Sequence, residues 1–265
     1  MNKLKIKNKN GRKLDTIDEW KNGFIEVDDK NHWCEGYSAH SLGRFFTIEN
    51  GEKWLNDLIY DLFGDEIRYE DAEIEHSSKL DTYRGTQRMQ DLAIWGTVHG
   101  EKIFIAIEAK VLESFGNYYV NEEYELALQE RDNVNPKSKK PNRVEDIVEF
   151  LFPDKTPFDE PACNLRYQLM HYFTASIKEA PSLEESKLPL SKRKTKLSIV
   201  VLPVLVFRTK HYYEDIETGK NNKNDYLNFV TKLGFDTRLT GNRTVYHKTI
   251  HDCDVYTIYE EIDLL

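Results

Sequence analysis

Three charged residues interrupt two apolar segments near the middle of the chain. Asp91 lies within residues 89–95, and Glu108 and Lys110 lie within residues 102–111. Burying two acids and a lysine among apolar neighbours costs free energy unless these groups pair with one another or bind a cation. Two carboxylates can hold Mg²⁺ through oxygen ligands, and a nearby ammonium can orient or help to deprotonate an attacking water. The three residues therefore suit metal-assisted hydrolysis of a phosphodiester.

The two apolar segments are predicted to be consecutive strands of a β-hairpin. Residues 102–111 are rich in Ile and Phe, and two glycines in residues 96–100 indicate the turn. Side chains alternate along a strand, so Glu108 and Lys110 project from one face. Pairing of the two strands then brings Asp91 beside Glu108.

The carbonyl of Ala109, which lies between the two polar side chains of its strand, is a further candidate metal ligand. The alternative is a purely structural ion pair. In that case Lys110 pairs with Glu108 or Asp91 on a partly exposed face of the sheet. The apolar flanks of IAIEAK and the acid in the preceding strand favour the catalytic interpretation.

The flanking segments predict a mixed α/β domain with a central sheet. Apolar residues at three-to-four-residue spacing predict a helix at residues 52–63, with Gly64 as its C-cap. Residues 196–207 predict a buried strand, in which Pro203 indicates a bulge or a sheet edge. Further helices are predicted at residues 41–46, 164–180 and 224–234, and a last strand at residues 255–259.

The chain divides into a lead-in and one domain. Residues 1–34 are polar, with a basic start, and residues 35–265 are assigned to the α/β domain. The charged, proline-containing residues 117–160 are predicted to be an insertion in that domain. Short elements are expected at residues 17–27 (strand or helix) and at residues 124–129 and 144–150 (helices).

The composition is that of a globular protein of 265 residues, 39% hydrophobic and 31% charged. No apolar window approaches the roughly 18 residues that a membrane span needs. No apolar stretch of signal-peptide length follows the basic N-terminus. The three cysteines are an odd number without a CxxC pair. They argue against a disulfide framework or a zinc site, and they predict a reducing cytoplasm.

The net charge of −9 argues against tight non-specific binding of DNA. A nucleic-acid-binding protein gains affinity by neutralising phosphates and is usually basic. A metal-dependent nuclease nevertheless has to carry carboxylates, whose local field a divalent ion inverts. Basic residues are concentrated in residues 3–13 and 192–196. The acidic total therefore does not decide the reaction.

The chain resembles the PD-(D/E)xK nuclease superfamily, which includes restriction and repair endonucleases, in the D…ExK signature MQDLAIWG…KIFIAIEAKVLESFG. It is also similar to the QxxxY motif of the RecB-like and Cas4-like branches, in the residues QLMHY at 168–172. Three segments resemble an uncharacterised bacterial family placed in that superfamily: EGYSAHSLGRFF, IEAKVLESFG and LRYQLMHYFTASIKEA. The likeness covers roughly residues 35–235. It implies the restriction-endonuclease-like α-β-β-β-α-β core.

The resemblance implies a role for each motif residue. Asp91 and Glu108 would bind the metal ion, Lys110 would serve the attacking water, and Gln168 would support the site from the second core helix. The implied cofactor is Mg²⁺, for which Mn²⁺ would substitute. The residue before Asp91 is Gln90 rather than proline, a frequent departure in the superfamily.

Two residues of the QxxxY region are candidates for substrate binding. Arg166 either binds a phosphate bidentately or is an ordinary solvated arginine. Tyr172 lies one helical turn after Gln168, and it either contacts substrate or packs in the core.

Four further residues are weaker candidates. Many superfamily members add a glutamate from the first core helix, and Glu49 and Glu52 are the candidates here. Glu75 and His76 precede Asp91 on the strand before it. A histidine near a metal can act as a ligand or a base, and the alternative is an ordinary surface or core position.

These features predict a Mg²⁺-dependent endo- or exonuclease that acts on DNA. A role in bacterial or phage defence or in DNA processing is expected by analogy with the superfamily alone. One alternative is a nuclease-like fold that binds or assembles without catalysis, and another is a nuclease directed at RNA. A silent member typically loses an acid or the lysine, and this chain keeps all three. A homodimer is expected, since two sites can then face two strands.

Overall fold

Seven strands of the described chain form one mixed sheet. The computed structural model describes residues 3–28, 32–83, 87–180, 198–214 and 216–264. The strands are β1 (Arg68–Ser78), β2 (Arg88–Val98), β3 (Glu101–Lys110), β4 (Ser198–Arg208), β5 (Asp236–Thr240), β6 (Arg243–Ile250) and β7 (Cys253–Asp263). Their order across the sheet is β1-β2-β3-β4-β7-β6-β5.

The middle of the sheet is its most apolar part. β4 runs parallel to both of its neighbours, β3 and β7, whereas the outer strands pair antiparallel. Every residue of β3 from Ile103 to Lys110 is buried. Parallel strands that are covered on both faces have nearly continuous apolar sequences, which explains why β4 is almost entirely apolar.

Helices flank the sheet, and in the described chain all of them but the first overlap a helix that the sequence predicts. They are α1 (Ile17–Ile25), α2 (Ser38–Thr47), α3 (Gly51–Phe63), α4 (Val120–Asn133), α5 (Lys140–Leu151), α6 (Tyr167–Glu179) and α7 (Ile216–Lys232). α6 packs across β1 to β4. The elements α3, β1, β2, β3, α6 and β4 follow one another with α4 and α5 inserted before α6. The predicted α/β class and the α-β-β-β-α-β order are thus confirmed.

The β2–β3 hairpin turn is shorter than the predicted residues 96–100. His99 and Gly100 alone form the turn, and both have a positive φ, of 51° and 77°. Positive φ at both central residues suits a two-residue hairpin. Gly96 stays inside β2, where a Cβ would lie 2.7 Å from the carbonyl of Arg68. The absence of a side chain at Gly96 therefore permits the close approach of β1 and does not serve a turn.

Pro203 lies inside the central strand β4, and not at a bulge or a sheet edge as predicted. The register with β7 is continuous, but pairing with β3 is interrupted between Val201 and Val204. Proline has no N–H, so β3 loses a ladder donor at this point. The hydroxyl of Tyr172 donates to the carbonyl of Ala106 on β3 at 2.6 Å and lies 3.3 Å from the carbonyl of Pro203. This buried phenol replaces the missing donor.

Tyr172→Phe is expected to lower the free energy of unfolding by about 1–3 kcal/mol, because the buried Ala106 carbonyl loses its donor. Pro203→Ala restores an N–H to β4, so Tyr172→Phe should cost less in that background. Urea unfolding of the wild type, both single variants and the double variant measures this coupling. The same substitution at the exposed Tyr60 is the control. Equal costs of Tyr172→Phe in the two backgrounds would contradict the explanation.

Residues 3–14 pack onto the sheet, although the sequence predicts a polar lead-in. Leu4, Ile6 and Leu14 are buried in the core. The backbone of Lys7 exchanges two hydrogen bonds with β1, each 3.0 Å long. The short element that the sequence left open as strand or helix is α1. The N-terminal segment therefore belongs to the same hydrophobic core as the sheet.

Two other regions differ from the sequence prediction. The insertion at residues 117–160 contains α4 and α5, which are longer than the two short helices expected there. The β5–β6 hairpin was not predicted, because its strands carry little apolar alternation and lie at the sheet edge. Leu239 on β5 is 83% exposed. Because β5 has no buried face, its sequence lacks the alternation of apolar and polar residues that would predict a strand.

The two basic runs have different outcomes. Residues 192–196 lie outside the described residues. In the first run, Lys7 pairs with Asp71 at 2.8 Å, and Arg12 pairs with Glu26. Part of the N-terminal positive charge is thus used within the fold. Over the described ranges, no helix is both long enough and apolar enough to cross a membrane.

Candidate active site

The sheet opens between β2 and β3 at the end that carries the predicted polar residues. The β2–β3 ladder ends at the pair Leu92–Ile107. Beyond it, β2 stays paired with β1 as far as its first residue, and β3 stays paired with β4 as far as its last. We call this opening the fork. Asp91 lies on its β2 arm, and Glu108 and Lys110 lie on its β3 arm.

Glu108 is the most enclosed charged group at the fork, with 1% of its surface exposed. Its Oε1 lies 2.9 Å from Nζ of Lys110 and accepts a hydrogen bond from Nε2 of Gln168 at 3.0 Å. Its Oε2 accepts a hydrogen bond from Arg88. Burial alone would raise the pKa of Glu108, but Arg88 and Lys110 outweigh burial and hold that pKa below its usual value. Glu108 is therefore an ionised carboxylate with both oxygens bound.

Asp91 reaches across the fork to the β3 backbone. Its Oδ2 accepts the N–H of Ala109 at 2.7 Å, where the ladder between the strands is missing. Burial and the neighbouring Glu108 raise the pKa of Asp91 to about 7, while Lys110 and Arg88 act in the opposite direction. The negative charge of Asp91 is thus less well neutralised than that of Glu108.

Glu75 on β1 adds a third carboxylate. It falls between the residues that pair with positions 90 and 92 of β2, which places it beside Asp91. Its φ is 48°, a left-handed conformation uncommon for a residue other than glycine and enriched at functional sites. Burial and Asp91 raise the pKa of Glu75 well above its usual value. A cavity of about 150 Å³ opens onto both acids, and Asp28 and His32 also line it.

The donor set at the fork suits a hard divalent cation. Three neighbouring carboxylates, Glu75, Asp91 and Glu108, face only two cations, and carboxylate oxygens are the ligands that Mg²⁺ and Mn²⁺ prefer. In this conformation, the part of the chain that the structure describes has no group of three or more His, Cys, Asp or Glu side chains that could hold an ion. Since Arg88 binds Glu108, an ion at the fork requires Glu108 to exchange a partner.

Helix α6 brings Gln168 to the acids, as the sequence predicts. Gln168 lies in the first turn of α6 and donates to Glu108. Near the other end of the helix, Ser176 accepts a hydrogen bond from Nε2 of the buried Gln90 at 3.1 Å. Because Gln90 belongs to β2 and Glu108 to β3, α6 holds both arms of the fork.

The two predicted substrate contacts have structural partners instead. Tyr172 is fully buried, so packing in the core fits the structure better than substrate contact, the other role that the sequence left open. Arg166 precedes α6, and its Nε donates to Asp225 of α7 at 2.7 Å. The Arg166 guanidinium also lies 4.3 Å from the centroid of the Tyr119 ring. Tyr172 thus connects α6 to β3, and Arg166 connects the start of α6 to α7.

The candidate glutamates of the first core helix have partners other than the acids of the fork. Glu52 on α3 accepts the backbone N–H of Leu4 at 2.8 Å and lines a separate cleft. Glu49 pairs with Arg44 at 2.7 Å. Neither side chain fits the predicted role of a metal ligand. The acid from the N-terminal helical region that shares the cavity with Asp91 is Asp28.

The partners of His76 fit an ordinary structural position better than a role as ligand or base, the two alternatives that the sequence left open. Its ring lies between Glu73 and Glu179, with nitrogen–oxygen distances of 3.0 and 3.3 Å. It also packs edge-on against Trp95 at 4.8 Å between centroids. Burial lowers the pKa of His76, but the hydrogen bonds and charges of the two glutamates outweigh burial and raise that pKa to about 9. The imidazolium therefore ties β1 to α6.

The ion pairs of His76 are expected to stabilise the fold below neutral pH and to weaken as the pH rises. A folded-state pKa above the unfolded value gives stability that is complete below about pH 6.5 and lost as the pH rises through about 9. His76→Gln should thus cost up to about 3 kcal/mol more near pH 6 than near pH 10. Urea unfolding at both pH values tests this. Glu179→Gln should reduce the difference, and an equal cost at both pH values would contradict the assignment.

Sequence reasoning missed Arg88. An arginine at the first residue of a strand is ordinarily solvated, and its contact with Glu108 depends on where the sheet opens. The sequence did contain an imbalance of charge that could have indicated it. Two acids lie in the predicted buried strands, and only one lysine is present there to neutralise them. A second buried cation was needed, and Arg88 lies three residues before Asp91.

Comparison with known proteins places the chain in a family. The model of a family described as a domain of unknown function (DUF6946) matches residues 13–264. No curated protein and no solved structure matches the chain. The family match includes both arms of the fork, α6 and all seven strands. The chain therefore belongs to the DUF6946 family.

Proposed function

We propose that this chain is a metal-dependent nuclease that hydrolyses phosphodiester bonds of nucleic acid at the fork. One observation carries the proposal. Lys110 of β3 and Gln168 of α6 meet on one oxygen of the buried Glu108, while Asp91 of β2 binds the next backbone N–H. Burying such a cluster costs free energy, and groups of this kind concentrate at functional sites. These are also the residues of the D…ExK and QxxxY resemblance.

Asp91 and Glu108 are the proposed ligands of the ion, and the carbonyl of Ala109 is a further one. Glu75 stands beside Asp91 as an additional acid. A divalent ion held there would supply charge stabilisation at the phosphate and a lower pKa for an attacking water. Mg²⁺ is the proposed ion, with Mn²⁺ able to replace it, because both accept carboxylate and carbonyl oxygens.

Lys110 is assigned to the attacking water and the phosphate. Its ammonium is held by Glu108 at 2.9 Å and lies 5.7 Å from the centroid of the Phe115 ring. An ammonium carries three N–H donors, so contact with Glu108 leaves donors for a water or a phosphate oxygen. Gln168 orients the Glu108 carboxylate through its amide. The lysine thus acts on the reacting groups, and the glutamine positions a ligand.

The proposed substrate is DNA, and RNA would be cleaved by the same chemistry. A role in bacterial or phage defence or in DNA processing rests on the superfamily resemblance alone. The proposed homodimer would place two sites on two strands. A cytoplasmic location is proposed from the cysteines Cys34, Cys163 and Cys253, which are free thiols.

The test is incubation of the full chain with plasmid, linear duplex, single-stranded DNA and RNA in Mg²⁺, Mn²⁺ or EDTA. Cleavage is expected with either metal and not in EDTA, and Asp91→Ala should abolish it. Asp57→Ala is the matched control, since Asp57 pairs with Lys53 on the exposed face of α3. Failure to cleave any substrate with either metal, or full activity of Asp91→Ala, would refute the proposal.

A second candidate is a nuclease-like fold that binds nucleic acid or assembles without cleaving it. One observation favours this candidate. Both carboxylate oxygens of Glu108 already have partners, which are Arg88, Lys110 and Gln168. A network of this kind is satisfied without an ion. The two candidates differ in metal dependence, because binding by a silent module should be the same in Mg²⁺ and in EDTA.

A further inference from the structure

We propose that Arg88 is a phosphate-binding residue that gives up Oε2 of Glu108 to the ion and turns to the scissile phosphate. The inference rests on the proposed function, since it assigns a substrate contact at the same site. It adds a cationic residue that the D…ExK signature does not include.

Arg88 crosses the fork and is its most exposed cation. It is the first residue of β2 and pairs in register with Ser78 of β1, yet its guanidinium binds Glu108 on the β3 arm. The Arg88 side chain is 14% exposed, compared with 8% for Lys110 and 1% for Glu108. An approaching substrate would thus meet Arg88 before it meets the other two charges.

The guanidinium of Arg88 keeps unused donors. Its Nη2 binds Glu108, but its Nε is buried without a hydrogen-bond partner among the described residues. Its Cζ lies 5.8 Å from the centroid of the Tyr172 ring. A guanidinium offers five N–H donors in a planar arrangement that matches a phosphate. A purely structural arginine at this depth is expected to use its Nε as well.

Arg88 and a divalent ion are alternative partners for one oxygen. Oε1 of Glu108 is held by Lys110 and Gln168, so Oε2 is the oxygen that an ion would reach. Two cations on the same oxygen repel each other strongly in a partly buried site. Arg88 therefore leaves Glu108 when the ion is bound, and its donors become available to an anion at the fork.

The test is calorimetric titration of Mn²⁺ into the full chain, together with the fluorescence anisotropy of a labelled DNA duplex in Ca²⁺. Arg88→Gln should bind Mn²⁺ at least about tenfold more tightly than the wild type, because a repelling charge is gone. It should bind the duplex at least about tenfold more weakly, because a bidentate phosphate contact is lost. Arg143→Gln is the matched control. Arg143 also forms a buried ion pair, but its partner is Asp81, at 2.5 Å, and not an acid of the fork. Arg143→Gln should change neither affinity.

Arg88→Lys provides a second variant in case Arg88→Gln does not fold. It keeps a positive charge beside Glu108 but lacks the planar donor pair, so its duplex affinity should fall like that of Arg88→Gln. The proposal is overturned if Arg88→Gln binds Mn²⁺ no more tightly than the wild type, or if Arg88→Lys binds the duplex as the wild type does. A wild type that neither binds Mn²⁺ nor cleaves overturns the proposed function as well. A wild type that does both, with unchanged Arg88 variants, overturns this inference alone.

Discussion

Lys110→Ala is expected to slow nucleic-acid cleavage by roughly two to four orders of magnitude, the usual contribution of a positioned group that acts on a proton in the transition state. The protein should remain folded, because Glu108 keeps its contacts with Arg88 and Gln168. It should also bind Mn²⁺ at least as tightly as the wild type, because both carboxylates remain and a neighbouring positive charge is gone. A plasmid-nicking assay and a calorimetric titration of Mn²⁺ measure the two properties separately.

The control for this prediction is Lys102→Ala. Lys102 lies on the same strand, but it is exposed and pairs with Glu70 at 2.7 Å. Its removal should leave the cleavage rate unchanged. If Lys110→Ala cleaves at the wild-type rate, the assignment of the lysine to the attacking water is wrong, whatever the metal dependence of the wild type.

The central part of the fold could be predicted because local patterns determine it. From Ile103 onward, β3 is apolar except at Glu108 and Lys110, so these two charged residues stand out. The helix predicted at residues 164–180 likewise follows from a local pattern, and the resemblance in QLMHY implied that its Gln168 supports the site. Both predictions depend on residues close together in the sequence, whose periodicity survives in any correctly folded chain.

The other contacts of the site depend on long-range register, which a single sequence does not contain. Arg88 reaches Glu108 only because β2 and β3 separate after Leu92. The buried hydroxyl of Tyr172 has a partner because Pro203, far along the chain, leaves the Ala106 carbonyl of β3 without a donor. The local pattern around Tyr172 is equally compatible with a substrate contact. Burial resolves that ambiguity, and burial is a property of the assembled sheet.

Glu75 illustrates the same limit at the level of backbone conformation. A glutamate in a polar stretch of β1 gives no sign that it adopts a left-handed φ of 48°. The sequence offered Glu75 and His76 as a pair of equal candidates. The register of β1 against β2 separates them, since it sets Glu75 beside Asp91 and leaves His76 to bind Glu73 and Glu179.

Glu108→Gln is expected to lower the free energy of unfolding by about 3–5 kcal/mol in EDTA, because it leaves two buried cations without their counter-charge. Glutamine preserves the shape of the side chain, so the loss reports charge and not packing. Arg88 and Lys110 both bind the Glu108 carboxylate, which is 1% exposed. Urea unfolding measures the loss, and the exposed Glu101 on the same strand provides the control Glu101→Gln.

Asp91→Asn should behave in the opposite way, although both acids are proposed to bind the same ion. Asparagine can still accept the N–H of Ala109, and it removes a charge that burial and Glu108 disfavour. A folded-state pKa raised to about 7 means that Asp91 stabilises the fold when protonated, and that this stability is lost as the pH rises through about 7. Near pH 8 in EDTA, Asp91→Asn should therefore match or exceed the wild type in stability. Both variants should nevertheless bind Mn²⁺ more weakly, since each removes an anionic ligand. If Glu108→Gln proves as stable as Glu101→Gln, Glu108 does not hold the two cations, and the arrangement of charges proposed for the fork is wrong.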